Sequence, residues 1–292
     1  MRIVPERRVT RFRRLLSVLS VALAAGWTGA VVAAPADDLF NAAFHGDAVA
    51  VRALLAKGAV VNAEAAGGLT PLMLASQQGH LNVVRALLDK GAIINARGND
   101  GANALIMASE ENHLDVVQAL FDRGADVNAR RNDGVTALII AAHNGQRDVV
   151  QALLDKWADV NARTSTGATA LIAASENGRV DVVRVLLNNR AAVNVKRNDG
   201  TTALIMAARE GHLDVVRALL DRGADVNVQA SDGTTALMLA SRNSHLDVVQ
   251  ALLARGADID ARMSAGATAP GAASPAEQAG ARTLLVQARA TP

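Results

Sequence analysis

The sequence predicts an all-α fold: a solenoid of helix-turn-helix units with hairpin-like connecting loops. Three observations predict it. From Gly67 to Ser264 the chain repeats itself in six units of 33 residues without insertion or deletion, and self-similarity at that period marks a stack of structural repeats. Half of the 292 residues are apolar, but that mass is Ala, Leu and Val, with no tyrosine and 2% aromatics. Such a composition disfavours a β-sandwich or barrel and favours helices packed through small residues. Each unit also holds two short apolar-periodic stretches that cannot bury their faces alone. Stacked neighbours can bury them, so stability becomes a sum of nearest-neighbour interfaces.

The chain opens with MRIVPERRVTRFRR, followed by the apolar run LLSVLSVALAAGWTGAVVAA and the small-residue tract APADD. Residues 1–36 thus have the layout of a secretory signal peptide, with Ala34-Pro35-Ala36 as the cleavage site before Asp37 and cleavage after Ala33 as a second option. Residues 15–34 are also long enough to span a bilayer, and an uncleaved anchor helix is the alternative. The arginines would then hold the N-terminus in the cytoplasm. The repeats lie outside the cytoplasm in both cases. Arg13-Arg14 follows Phe12, and Ser17 interrupts the run after it, which favours the general secretory route over a twin-arginine one. The absence of cysteine excludes a lipoprotein anchor, a disulfide framework and thiolate chemistry.

The isoelectric point near 9.5 is a misleading signal for nucleic acid. Six of the 30 basic residues lie in the first fourteen positions beside Glu6 alone; residues 37–292 carry 24 basic and 27 acidic side chains, a net charge of −3. A domain of that balance has no general attraction for phosphate backbones. The Ala- and Arg-rich composition, with four lysines beyond the leader, points to a bacterium of high genomic GC content, which makes the expected destination the periplasm.

Residues 37–66 read as an N-terminal capping unit, with Leu39, Gly46, Leu54 and Leu55 in register. The six full units follow as 67–99, 100–132, 133–165, 166–198, 199–231 and 232–264. In the unit 199–231 the threonine ahead of TALIMAA, Thr201, is expected to cap the first helix, and a loop at Gly211 ends it. The second helix, HLDVVRALLDR, places Leu213, Val216, Leu219 and Leu220 on one face. Asp214 near its start and Arg222 at its end complement the helix dipole, and Gly223 supplies a left-handed stop. The ADVNxxxxDG tract that follows is rich in turn-formers and suits a hairpin-like connection. Residues 265–292 read as a degenerate C-terminal cap and tail. Thr268 keeps register, Pro270 takes a core leucine position, and Leu285 and Val286 fall where the LL pair belongs. Ser274-Pro275-Ala276-Glu277 has the form of a capping box with proline at the first helical position.

The 33-residue period, TPLMLAS at residues 70–76, the GHLDVVRALLDRGADVN core and the DGTT turn resemble the ankyrin repeat over residues 37–264. One departure is consistent: Ile106, Ile139, Ile172 and Ile205 replace the histidine of the family's TPLH tetrapeptide, exchanging a polar tie for apolar packing. The resemblance implies that partners dock on the concave side, through the hairpin tips and the ends of the first helices. The matching helix-end positions are Phe44-His45, Gln77-Gln78, Glu110-Glu111, His143-Asn144, Glu176-Asn177, Arg209-Glu210 and Arg242-Asn243. Tip positions include Asn99-Asp100, Asn132-Asp133, Ser165-Thr166 and Asn198-Asp199. A plain solvated face is the competing reading of this polar, varied row.

No phosphate-binding Gly loop, GxSxG elbow, HExxH or calcium-loop pattern is present in the sequence, and neither catalysis nor a cofactor is expected. His80, His113, His212 and His245 share one repeat position, but successive equivalents would stand about 10 Å apart in a helix stack. Two ligands of one zinc ion lie within about 4 Å of each other, so the histidines are read as structural, and no metal is expected. Gln146 and Arg179 replace the histidine in the fourth and fifth units. Adjacent Glu110 and Glu111 diverge by about 100° on a helix, and nothing in the sequence indicates burial, so they are read as solvated surface. Trp157 and Arg190 occupy the position of the left-handed stop, where five other units have glycine. A non-glycine residue there costs roughly 1 kcal/mol. They are second-rank interaction candidates beside the alternative of drift in a redundant array.

The resulting expectation is a monomeric, non-catalytic scaffold that binds another protein in the periplasm. Its alternatives are a membrane-anchored structural component of the envelope and a secreted protein that binds a host target. The only membrane contact expected is through residues 15–34.

Overall fold

The computed structural model of the chain describes residues 35–264, 266, 268, 269 and 279–290. Residues 1–34, Pro270 and the capping-box sequence at 274–277 lie outside the described residues, and with them most of the leader assignment. The helices come in pairs: Pro35–His45 and Ala48–Ala56, Pro71–Gln77 and Leu81–Asp89, Ala104–Glu110 and Leu114–Phe121, Ala137–Asn144 and Arg147–Asp155. The pairs continue as Ala170–Glu176 and Val180–Asn188, Ala203–Glu210 and Leu213–Asp221, Ala236–Arg242 and Leu246–Leu253, before a last helix Ala279–Ala290. First helices pack on first helices of the neighbouring units and second helices on second helices, giving two layers. No helix among the described residues is long and apolar enough to cross a membrane.

From the second unit to the seventh, each first helix starts where a side chain satisfies an orphan amide of its first turn. Thr70 accepts from the Met73 N–H at 3.3 Å, Asn103 from Ile106 at 3.0 Å and Thr136 from Ile139 at 3.3 Å. In the unit 199–231 the cap is Thr202, one residue later than expected. Thr201 is engaged instead in closing the preceding turn, donating its N–H to the Asp199 carboxylate at 3.0 Å.

The first helices carry a column of fully buried leucines, Leu72, Leu105, Leu138, Leu171, Leu204 and Leu237, and Ile106, Ile139, Ile172 and Ile205 are buried beside them. Each such side chain contributes about 1.5–3 kcal/mol on burial. The second helices bury a wider face than the expected stripe. Val215 is buried with Val216, Leu219 and Leu220, while Leu213 is only partly covered. A helix that packs on its own partner and on both neighbouring units needs that additional apolar position.

The loops are turns rather than strands: among the described residues there are only the isolated bridges Ala65 to Leu69 and Arg130 to Thr136. Within a loop the Arg131 N–H meets the Val135 carbonyl at 2.8 Å and the Gly134 N–H meets the Arg131 carbonyl at 2.9 Å. Between loops the Asn132 N–H donates to the Asp100 carbonyl and the Ser165 N–H to the Asp133 carbonyl, both at 2.8 Å. One backbone bond per unit therefore joins successive tips.

The first unit buries Leu39, Ala43 and Val51 completely, whereas Leu54 and Leu55 are only partly covered. Its first helix begins at Pro35 and so takes in two residues assigned to the leader. Proline suits this first-turn position because its missing N–H would be an orphan there. At the other end Leu285 is buried and Val286 is exposed.

Candidate functional site

Three families of side-chain bonds tie neighbouring units, two of them at every boundary from the first unit to the seventh, and they separate scaffold from free surface. The asparagine of ADVN is the most regular. Asn62, Asn95, Asn128, Asn161, Asn194 and Asn227 each accept from the N–H 31 residues on, at 2.8–2.9 Å. In the seventh unit, whose successor is degenerate, Asp260 stands at this position. The recurring asparagine was visible in the sequence, but its task across the unit boundary was not anticipated.

The second tie explains the histidines. His80, His113, His212 and His245 each place Nε2 on a carbonyl at the end of the preceding unit's first helix: Phe44 at 2.9 Å, Gln77 at 3.0 Å, Glu176 at 3.2 Å and Arg209 at 3.0 Å. They bridge units rather than only the loop within one. The replacements keep the bond: Gln146 Nε2 donates to the Glu110 carbonyl at 2.8 Å and Arg179 Nε to the His143 carbonyl at 3.3 Å. A carbonyl accepts from any donor that reaches it, so the fourth and fifth units differ in residue type and not in connection. The third tie is a run of loop cations donating to the next unit's backbone. Arg97 reaches the Arg130 carbonyl at 2.7 Å, Arg130 that of Arg163 at 3.2 Å, Arg163 that of Lys196 at 2.7 Å and Lys196 that of Gln229 at 3.2 Å.

The candidate row lies at the ends of the first helices, one pair per unit. Glu111, His143, Asn144, Glu210, Arg242 and Asn243 are exposed; Phe44, Gln77, Gln78, Glu110, Glu176, Asn177 and Arg209 are half-buried. Part of the row is engaged in the stack. Asn144 donates to the Glu110 carbonyl at 3.0 Å and Asn243 to the Arg209 carbonyl at 2.7 Å. Asn177 meets the His143 ring at 3.0 Å, and the Arg209 guanidinium lies between Glu176 at 2.9 Å and Glu210 at 2.7 Å.

Glu110 departs from its sequence reading as solvated surface. Its carboxyl is pushed above the ordinary glutamate value, first by burial and then by the negative charges of Glu111 and Asp100, against the opposing effect of Arg131. The missed signal was tertiary: Asp100 and Arg131 arrive from loops, not from the helix that carries Glu110. A half-buried carboxylate beside two others favours a cationic partner group.

The tip carboxylates do turn-closing work. Asp133 accepts from Val135 N–H at 3.1 Å and Asp232 from Thr234 N–H at 2.9 Å. The Thr234 hydroxyl and backbone bonds hold Asp232 below the ordinary value. At Asp199 burial acts upward, and the bonds from Thr201 outweigh it, so that carboxyl also stands low. Thr166 replaces the aspartate in the fifth unit, and its hydroxyl pairs with that of Thr164 at 2.9 Å while Thr164 accepts from the Ala168 N–H at 3.1 Å. Trp157 and Arg190 both adopt φ 64°, and the indole is 88% exposed. The Trp157 carbonyl still receives the Asn128 side chain, at 3.5 Å.

Comparison with known proteins follows the same lines. A family profile described as "Ankyrin repeats (3 copies)" matches residues 39–131, 128–199 and 189–263. Among solved structures, the crystal structure of the human ASB11 ankyrin repeat domain is similar, with 30% sequence identity and a TM-score of 0.68. That likeness covers 75% of this chain and 98% of the human domain. No curated protein sequence matches the chain.

Proposed function

Because this chain belongs to the ankyrin repeat family, a fold of protein–protein interaction modules, we propose that it is a non-catalytic scaffold that docks a partner protein along the first-helix row. The observation that carries the reading is the contrast between ties and row. Bonds that recur along the array hold the stack together, while Phe44, Gln77, Glu110, His143, Glu176 and Arg209 differ at every step along one position. Selective recognition in an array must come from what does not recur. The leader sequence, residues 1–36, supports export, and the periplasm is the proposed site of action. The protein acts as a monomer and does not engage nucleic acid.

Two measurements test this reading. N-terminal sequencing after cell fractionation should give a periplasmic chain beginning near Asp37; an intact leader in the membrane fraction would favour an anchored envelope component. Affinity capture from periplasmic extract should recover a partner with the full chain and lose it with Glu110→Gln/Glu111→Gln. Retention of every captured protein by that variant, or turnover by the purified chain, would overturn the proposal.

A further inference from the structure

The turns that follow the second helices form an edge of the stack, a full second helix away from the first-helix row. In two regular units this edge reads Asp122-Arg123-Gly124-Ala125-Asp126 and Asp221-Arg222-Gly223-Ala224-Asp225, each with one more acid than base. The fifth unit reads Asn188-Asn189-Arg190-Ala191-Ala192: both acids are gone and an arginine stands on the glycine. Elsewhere the edge is neutralised from unit to unit. Arg123 pairs with Asp89 at 2.7 Å, Arg255 pairs with Asp221, and Arg130 lies 3.6 Å from Asp159.

One unit beyond Arg130, Arg163 has Ala192 where Arg130 has Asp159. None of the ion pairs among the described residues involves Arg163, Arg190 or Lys196, and all three are exposed. Of the nearby acids, Asp159 faces Arg130, Asp155 accepts from Gln151 at 2.8 Å, and Asp225 holds the place in register with Lys196 that Asp159 holds with Arg130. Beside this patch stands Trp157, with its backbone in the left-handed region and its indole almost wholly in water. Arg190 repeats that backbone conformation at the equivalent position of the next unit, about 10 Å away for one step of a helix stack.

We propose that the outer edge of the fourth and fifth units is a second docking surface, which takes an acidic protein segment. The indole of Trp157 is the apolar anchor, and Arg190 and the N–H groups of Arg163 that do not hold the Lys196 carbonyl receive the carboxylates. Tryptophan and arginine are the residues most often found at the energetic centre of interfaces, and arginine binds carboxylates through two parallel bonds. The charge of the patch selects the partner's sign: a basic segment would meet Arg163 and Arg190, and an acidic one would supply the carboxylate that Ala192 no longer provides. This surface is separate from the first-helix row and does not depend on it.

Trp157 reports on its own environment once Trp27 is removed, because the chain has two tryptophans. The test uses the full chain carrying Trp27→Phe, titrated with a polyglutamate peptide, with polylysine and with phosphatidylglycerol vesicles, while tryptophan emission is followed. Polyglutamate is expected to shift or quench the emission saturably, with affinity falling at least several-fold between about 0.05 M and about 0.3 M salt. Arg190→Gly restores the residue of the regular units and so does not threaten folding; together with Arg163→Gln it should weaken binding at least tenfold. Glu110→Gln on the row should leave binding unchanged. The proposal is overturned if polyglutamate leaves the emission unmoved, if polylysine acts equally, or if the arginine variants bind as the parent does. A response to vesicles without one to polyglutamate would also overturn it, in favour of a lipid surface.

Discussion

The units 166–198 and 199–231 are neighbours in the stack and opposites in sequence regularity. In the second, His212 ties the loop, Gly223 ends the helix and Asp199 closes the tip. In the first, Arg179, Arg190 and Thr166 hold those three places, and all three tasks are still performed. The tie persists because its acceptor is a backbone carbonyl, indifferent to donor type. The tip persists because a hydroxyl pair substitutes for a carboxylate. At Arg190 the helix still ends through the bond from the Ala191 N–H to the Leu186 carbonyl at 3.0 Å, as the Ala224 N–H does to Leu219 after Gly223, but a side chain now stands on a left-handed backbone. The comparison separates replacements that the architecture absorbs from those it merely tolerates.

The largest expected effect tests the absorbed kind. A Cβ on Gly211 would lie 2.5 Å from the His245 ring, on a backbone with φ +76°. Similar close approaches pair Gly46 with His80, Gly79 with His113 and Gly178 with His212. Asn112, which also has positive φ, precedes the unit where Gln146 has replaced histidine. Glycine is thus needed where the next unit presents an imidazole. Gly211→Asn should cost about 2 kcal/mol, combining left-handed strain with loss of the displaced histidine's bond. In a His245→Gln background, which copies the Asn112–Gln146 pair, the same substitution should cost less than about 1 kcal/mol. Chemical denaturation of the four proteins gives the coupling directly; additive effects would show that the two positions vary independently.

The next effect compares the asparagine ties. Asn194 accepts from Asp225 N–H at 2.9 Å and donates to the Gly223 carbonyl at 3.1 Å, whereas Asn161 shows the single bond from Ala192 N–H at 2.8 Å. Asn194→Ala should therefore destabilise by about 2 kcal/mol and Asn161→Ala by about 1 kcal/mol. Equal losses would mean that the donated bond contributes nothing.

The tolerated kind should respond in the other direction. Trp157→Gly and Arg190→Gly each remove a side chain from a φ of 64°, and each should raise stability by about 1 kcal/mol. Gly223→Ala, the reverse change in the regular unit, should lower it by a similar amount. A rise in thermal midpoint of a few degrees for either variant would be the sign of relieved strain; a fall would mean that Trp157 or Arg190 packs in a way that outweighs it.

The helix pairs and buried columns were legible in the sequence because a period of 33 without gaps places Leu72, Leu105 and their equivalents on one face in successive units. The left-handed backbone at Trp157 and Arg190 was legible for the same reason, since glycine holds that place elsewhere. What escaped was mostly interaction between units. The asparagine of ADVN acts 31 residues away, and the histidine acts 36 residues away on a carbonyl that carries no sequence signature. That Gln146 keeps the tie, donating to the Glu110 carbonyl, was not legible for the same reason. Thr202 was displaced by one residue because two adjacent threonines offered equal caps until Asp199 engaged Thr201.

Glu110 brings the comparison to the row itself. Its counterpart in the fifth unit, Glu176, meets Arg209 at 2.9 Å, while Glu110 has Glu111 and Asp100 beside it and its carboxyl is raised above the ordinary value, first of all by burial. A carboxyl that holds its proton more tightly in the folded chain than in the unfolded one favours folding while it is protonated. That contribution is complete below the ordinary glutamate value and is lost as pH rises through the higher folded value. Near neutral pH the charge therefore works against the fold, partly screened because the group is half-exposed. Glu110→Gln should make the protein slightly more stable at neutral pH, by less than about 1 kcal/mol, with the advantage shrinking below the ordinary glutamate range. Glu176→Gln should instead lose the Arg209 pair and give no gain at any pH. Stability measured for both variants across the acid range distinguishes the two carboxylates. A stabilised Glu110→Gln that also fails to capture partner would show a side chain retained at a cost to the fold, which is the behaviour expected of a recognition residue and not of a solvated face.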